Sequence, residues 1–157
     1  MIVGTSVKRA GEWTDAADTI TLDETARHRR RMAMVSDDDG IAFLLDLPEA
    51  VLLRDGDAIG LDDGRLIAVR AKPEELYEVR GKDARHLLVL AWQIGNRHLP
   101  AQLLGECILI RRDPVIYEML SGLGATITEV AAGFDPEGGA YEAHGHDHEP
   151  SPETAIR

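Results

Sequence analysis

The chain has 157 residues, enough for one ordinary domain or two small ones, and its 44% of hydrophobic residues can form a packed core. Aromatic residues make up only 4%, so that core must be aliphatic. With 17 Lys and Arg residues against 28 Asp and Glu residues, the formal charge of -11 argues against nucleic acid as a partner and suits a protein that handles cations.

The first 72 residues predict a small all-β domain. Short apolar or alternating runs occupy residues 19–22, 31–35, 41–45, 51–53 and 66–70. Between them lie Asp-Gly turn signals that end at Gly40, Gly56 and Gly64. The basic stretch 27–31, which includes His28, is interpreted as an exposed polar strand face. Docking of this stretch on an acidic partner is the alternative.

A helix is predicted at the start of the second half of the chain. Asp83 can cap it, and apolar residues recur at helical spacing at Leu87, Leu88, Ala91 and Ile94. Gly95 is predicted to end this helix in the left-handed conformation. A strand-like run at residues 76–79 precedes the helix.

The rest of residues 73–134 completes a βαββαβ order. Strands are predicted around 102–104 and 107–110, followed by a helix that begins at Pro114 and ends at Gly124, and by a last strand at 125–130. This order is the ferredoxin-like pattern. The predicted fold class is therefore α+β, with a small N-terminal all-β domain followed by a ferredoxin-like domain.

Residues 135–157 predict a flexible, disordered tail that contains histidines. Tyr141 is its only large apolar side chain before Ile156, too little to bury. Imidazoles two residues apart in a flexible chain can wrap one cation, so the tract is a compositional signal for metal binding. Its histidines are His144, His146 and His148. For the tail alone, a plain solvated chain end is an equally good interpretation.

His98 is the second candidate metal ligand. It follows the predicted helix on a connection that Pro100 stiffens. Neutral imidazole suits nickel, copper and zinc, but an ordinary polar loop histidine is the simpler interpretation of the spacing. In a twofold dimer, however, His98 near the axis would meet its own copy, and tail histidines could fill the open coordination positions.

Four stretches in the same order along the chain resemble the urease accessory nickel chaperone family, UreE. They are Arg54-Asp55-Gly56-Asp57, Gly95-Asn96-Arg97-His98 followed by Pro100, residues 119–125, and residues 134–141 before the histidines. The resemblance covers nearly the whole chain, and the four stretches together are more specific than any one of them.

The resemblance implies three parts: an N-terminal β domain (residues 1–72) similar to a chaperone peptide-binding module, a ferredoxin-like metal-binding and dimerisation domain (73–134), and the tail (135–157). It implies a homodimer with His98 of each subunit at the interface. It also implies delivery of Ni(II) to apo-urease together with the urease accessory GTPase, with His144, His146 and His148 completing the site or adding capacity. Many relatives carry histidine where this chain has Gln93 and Pro114, so this chain lacks those two potential ligands. Any additional metal-binding capacity is therefore expected to depend more on the tail.

Three functions compete at this point. The leading one is a nickel metallochaperone that is not an enzyme and whose ligands can also bind copper or zinc in vitro. The second is a protein-binding adaptor in urease maturation, with metal as a dimer clamp. The weakest is an acylphosphatase-type hydrolase using Asn96 and Arg97, because no phosphate-cradling loop or nucleophile–base pair is visible.

The remaining expectations concern location and residues without a metal role. No signal peptide and no run of about 20 apolar residues is visible, so we expect a cytoplasmic protein without a membrane partner. Cys107, the single cysteine, is predicted to be a buried small hydrophobe, and His86 a solvated helix residue. Trp13 and Trp92 are predicted to be packing residues.

Overall fold

The computed structural model describes residues 1–138, which form two β-sheets and three helices. The N-terminal sheet has six strands in the spatial order β2-β6-β5-β1-β4-β3. Its strands are β1 (Val3–Lys8), β2 (Asp18–Leu22), β3 (Arg31–Val35), β4 (Ala42–Asp46), β5 (Ala58–Leu61) and β6 (Leu66–Ala71). The pairs β1–β4 and β2–β6 are parallel, and the other pairs are antiparallel.

Alternation along these strands forms the first core. In β4, Phe43 and Leu45 are buried, and in β6, Ile67 and Val69 are buried, because successive side chains of a strand point to opposite faces. The predicted turns are present: Gly40, Gly56 and Gly64 all have positive φ.

The C-terminal sheet has four antiparallel strands in the order β10-β7-β9-β8. They are β7 (Glu74–Arg80), β8 (Ala101–Leu103), β9 (Ile108–Arg111) and β10 (Thr126–Ala132), with helices α2 (Ala84–Asn96) after β7 and α3 (Pro114–Gly122) after β9. The order of elements is βαββαβ. The two helices cover one face of this sheet through a core of Tyr77, Val79, Leu90, Ile94, Ile108, Ile110, Ile116 and Leu120.

The opposite face of the C-terminal sheet carries a small second cluster of Leu76, Leu109 and Phe134. Phe134 is fully buried, and the Arg111 guanidinium lies 5.0 Å from the centroid of its ring. Arg111 also forms ion pairs with Glu24 and Glu74, and the Glu24 backbone N–H donates to the Glu74 carboxylate at 2.8 Å. This side of the sheet is therefore bonded to the N-terminal half of the chain.

Both long helices begin where the sequence predicts. The Asp83 side chain accepts from the His86 backbone N–H, and the Asp113 side chain accepts from the N–H groups of Val115 and Ile116. The predicted left-handed end at Gly95 is wrong, because Gly95 lies inside α2 and His98 has the positive φ, 59°. The packing prediction for Trp92 is also wrong: its side chain is 67% exposed on the outer face of α2.

Three local predictions in the N-terminal half differ from the structure. Strands β1 and β5 were not predicted, and residues 51–53 form no strand although Leu53 is fully buried. The stretch 27–31, interpreted as an exposed strand face, begins at the last residue of α1 (Glu24–Arg27), a single turn capped by Asp23. Arg27 is completely buried. None of the helices within residues 1–138 is both long and apolar enough to span a bilayer.

Candidate metal site

His98 lies on an anchored turn at the end of α2. The backbone N–H of Arg97 donates to the Ile94 carbonyl at 3.1 Å, and that of His98 donates to the Gly95 carbonyl at 3.0 Å. Leu99 then packs on the core between the helices and the sheet, while the His98 side chain is exposed. The turn therefore holds the backbone and leaves the imidazole accessible.

The imidazole of His98 borders a cleft of about 800 Å³ between the two halves of the chain. His98, with its neighbours Leu99 and Pro100, lines the cleft from the C-terminal half. The residues that line it from the N-terminal half are Arg9, Glu24, His28, Ala50, Val51, Leu52 and Arg54, and Pro136, Glu137 and Gly138 complete its wall. The fold thus brings His28 and His98, 70 positions apart in the chain, to one cavity.

His28 is backed by a carboxylate. Its Nδ1 lies 3.6 Å from an Oε2 of Glu24, and Glu24 is itself held by Arg111. The basic residues around His28 predict a strand face, but the Asp23 cap turns the chain into α1 and places His28 at the end of that helix. Asp23 is therefore the sequence signal that locates His28.

Two other residues of a type that can bind metal, neither of them predicted as a ligand, are unsuited to that role in this conformation. The Nδ1 of His86 accepts from the Lys82 backbone N–H at 2.9 Å, so the protonated Nε2 donates to the Leu123 carbonyl at 2.8 Å and neither nitrogen is free. Cys107 is buried as predicted, and burial, with a further contribution from the Glu78 carboxylate, raises the pKa of its thiol. A neutral, buried thiol is a poor metal ligand.

The described part of one subunit does not complete a coordination sphere. Within residues 1–138, no three His, Cys, Asp or Glu side chains lie close enough together to hold a metal ion. The remaining predicted ligands, His144, His146 and His148, lie outside the described residues. A transition metal takes four or more ligands, so His98 needs donors from the tail or from a second subunit.

Comparisons with known proteins decide the family. The model of the "UreE urease accessory protein, N-terminal domain" matches residues 2–72, and that of the "UreE urease accessory protein, C-terminal domain" matches residues 74–154. This chain belongs to the UreE family of urease accessory proteins. The C-terminal match includes both His98 and the three tail histidines.

Curated UreE proteins from several bacteria are similar over most of the chain. The urease accessory protein UreE of Chelativorans sp. (strain BNC1) is 67% identical over 147 residues, which cover 94% of this chain and 91% of that protein. UreE of Rhodopseudomonas palustris (strain HaA2) is 55% identical, covering 90% of this chain and 66% of that protein. The protein UreE 1 of Brucella suis biovar 1 (strain 1330) is 51% identical, covering 90% of this chain and 87% of that protein. The UreE resemblance inferred from four short stretches is therefore confirmed.

Proposed function

We propose that this protein is a nickel metallochaperone that delivers Ni(II) for assembly of the urease active site. The observation that carries the proposal is the presentation of His98 in a chain that belongs to the UreE family: the imidazole is exposed on a fixed turn, beside a cleft, without a complete ligand set of its own. A site with few preorganised ligands can bind a metal and still release it, as delivery requires.

The proposal includes a homodimer formed through a ferredoxin-like C-terminal domain. Its βαββαβ order and the sheet order β10-β7-β9-β8 support that fold. Leu88 and Trp92 lie one helical turn apart on α2 and are 71% and 67% exposed. Large apolar side chains grouped on one face are typical of an interface. A twofold partner that covered them would lie against the helix that leads to His98, and could add its own His98.

The partners in this proposal are apo-urease and the urease accessory GTPase, and the cellular location is the cytoplasm. The names of the relatives and the resemblance to the nickel chaperone family support these assignments. The net charge of -11 suits a protein that attracts cations. The choice of nickel rests on the family, because imidazole sites of this kind bind copper more tightly.

Calorimetric nickel titration of three full-length proteins tests the proposal. The wild type should bind about one Ni(II) per dimer in its tightest step, and His98→Ala should lose that step. When His144, His146 and His148 are replaced by alanine, the tightest nickel-binding step should still occur, but with lower affinity. The additional, weaker binding steps should disappear.

His86→Gln is the matched control for this titration, because it removes a histidine of the same domain whose two ring nitrogens are engaged. It should leave the isotherm unchanged.

The nickel affinity of the wild type should decrease as the pH falls through about 6, since protonated imidazole cannot bind metal. Unchanged tight binding in His98→Ala would remove His98 from the site.

The alternative is an adaptor whose N-terminal domain binds a protein, with metal as a dimer clamp. A groove of about 300 Å³ beside β1 favours it, lined by Thr5, Val7, Leu47, Pro48 and Val51 among others. Activation of apo-urease separates the two functions. A chaperone loaded with Ni(II) should activate urease in buffer that contains a nickel chelator, whereas an adaptor should need free nickel.

A further inference from the structure

The cleft beside His98 is much larger than a single metal ion needs. Its volume of about 800 Å³ lies within the range of sites for small organic ligands, roughly 300–1,000 Å³. Residues 136–138 form one wall, and the Arg54 guanidinium holds this wall by donating to the carbonyls of Asp135 and Pro136, each at 3.3 Å. Residues 135–138 are thus part of the folded protein, although the sequence assigned them to the flexible tail.

Two arginines line the cleft, Arg9 and Arg54. The Arg9 side chain is half-exposed, and its Nη1 donates to the Leu52 carbonyl at 3.1 Å and to the Asp57 carboxylate at 2.6 Å. The other edge of a guanidinium, formed by Nε and Nη2, is a fork that matches the two oxygens of a carboxylate. Arg54 adds a second positive charge, since its bonds to two neutral carbonyls do not offset it. The cleft therefore contains donors suited to an organic anion.

The two carboxylates that line the cleft are both engaged by other groups. Glu24 is paired with Arg111, and the Glu137 carboxylate accepts a hydrogen bond from the Leu103 backbone N–H at 3.1 Å. A chain with a net charge of -11 repels anions over most of its surface. In the cleft, pairing with these other groups weakens the repulsion, so an anion can approach the arginines.

His98 faces this cleft without enough protein ligands for a metal ion. Within residues 1–138, no three His, Cys, Asp or Glu side chains lie close enough together to hold one. A nickel ion on His98 therefore has open coordination positions, and the oxygens of a small carboxylate can fill them. The positive charge of the bound ion would in turn strengthen the attraction of the cleft for an anion.

We propose that the cleft binds a small polycarboxylate together with nickel, with one carboxylate held by Arg9 and Arg54 and another bound to the Ni(II) on His98. This inference rests on the proposed function, because it assumes that His98 binds nickel. It names the form in which the metal arrives, which is a complex with an organic acid instead of the hydrated ion. The two arginines hold the anion and do not touch the metal.

Nickel occupancy at a fixed free concentration of the ion tests the inference. The full-length protein is dialysed against Ni(II) that is buffered to the same free concentration by citrate or by ethylenediamine, a chelator without negative charge. A protein that takes up only the bare ion reaches the same occupancy in both, since occupancy then depends on free Ni(II) alone. Citrate should instead raise the ratio of bound to free nickel sites about tenfold, the effect expected of charge-assisted hydrogen bonds. Radiolabelled citrate should be retained in equal amounts with the metal.

Substitution of Arg9 locates the anion. Arg9→Gln should remove the gain from citrate and leave nickel occupancy in ethylenediamine unchanged, and Arg9→Lys, which keeps the charge without the fork, should retain part of the gain. Arg65→Gln is the matched control, because Arg65 is also a partly exposed arginine paired with an Asp, Asp63, but does not line the cleft. It should behave like the wild type. Equal occupancy of the wild type in the two buffers would overturn the inference, as would a gain from citrate that survives Arg9→Gln.

Citrate binding without nickel separates this inference from the proposed function. Millimolar citrate should shift the NMR signals of the Arg9 Nε–H and of the Leu52 and Leu99 amides in the metal-free protein, whereas the neutral triethyl ester of citrate should not. Arg9→Gln should remove the shifts. A spectrum that citrate leaves unchanged would overturn the inference whatever the outcome for nickel. Citrate shifts together with unchanged tight nickel binding in His98→Ala would overturn the role of His98 in the proposed function and leave the anion site in place.

Discussion

His98, and not Gly95, occupies the left-handed position that ends α2, and its backbone N–H donates to the Gly95 carbonyl at 3.0 Å. Left-handed residues at helix ends are usually glycine, because a Cβ in this conformation crowds the following carbonyl. Histidine is one of the residue types enriched among the exceptions. The imidazole therefore projects from a position where most side chains would be disfavoured.

The first prediction separates stability from metal binding at this position. His98→Gly should raise the free energy of unfolding by up to about 1 kcal/mol, because glycine adopts the same φ without the crowding. The same variant should lose the tightest nickel-binding step. Urea unfolding and calorimetry of one preparation measure both effects. His98→Ala should lose the metal step without the gain in stability, and lower stability of His98→Gly would contradict the explanation.

A second prediction concerns acid stability. The Ser36 hydroxyl, together with the N–H groups of Asp39, Thr19 and Asp38, lowers the pKa of Asp18 from 3.8 to about 2. Because the folded pKa lies below the unfolded one, the stabilisation from the Asp18 carboxylate is complete above about pH 4 and is lost as the pH falls through about 2.

Asp18→Asn should therefore be less stable than the wild type at pH 7, and the difference between them should shrink as the pH falls from 4 towards 2. Urea unfolding across that pH range measures it. Nickel affinity at pH 7 should not change, since Asp18 does not line the cleft. A stability difference independent of pH would contradict this account of the pKa.

The third prediction concerns the buried guanidinium. Arg27→Met should lower the free energy of unfolding by about 3 kcal/mol or more, because it leaves the Asp135 carboxylate and three carbonyls without their donor. Arg30→Met, which breaks an exposed ion pair with Asp46, should cost about 1 kcal/mol or less. Equal costs for the two substitutions would show that the Arg27 contacts do not stabilise the folded chain.

The fourth prediction concerns the exposed face of α2. Trp92→Glu should convert the proposed homodimer to monomer, because a twofold interface would place the two introduced carboxylates in an apolar contact. Sedimentation velocity measures the change. Val35→Glu is the control: Val35 is 60% exposed on β3 of the other sheet, and its substitution should leave the dimer intact. A Trp92→Glu protein that stays dimeric would place the interface elsewhere.

Local signals were sufficient for much of the C-terminal fold. The cap at Asp83, Pro114 in the first turn of α3 and Gly124 after that helix are all decided by neighbours within a few residues. The end of α2 was predicted one turn too early because glycine is the common residue at that position. No residue close to Gly95 in the sequence indicates that the helix continues past it and ends before His98.

Long-range contacts explain the remaining differences. A buried arginine is rare unless it is fully paired, and the partner of Arg27, Asp135, lies 108 positions away. Strand β5 is buried at all four positions, so it has no alternation that a sequence pattern could detect. At the candidate site, the sequence predicted His98 as a ligand. It could not predict that His28 lines the same cleft, because that depends on how the two domains pack together.

The two tryptophans lie in different domains and in opposite environments. Trp13 is half-buried and its indole N–H donates to the Gly56 carbonyl at 3.1 Å, whereas Trp92 stands in solvent on α2, six residues before His98. The chain contains no other tryptophan. Intrinsic fluorescence can therefore follow each half of the molecule separately. A Trp92→Phe protein reports on the N-terminal sheet. A Trp13→Phe protein reports on events near His98, the proposed nickel ligand, and should be quenched by added Ni(II) if that proposal is right.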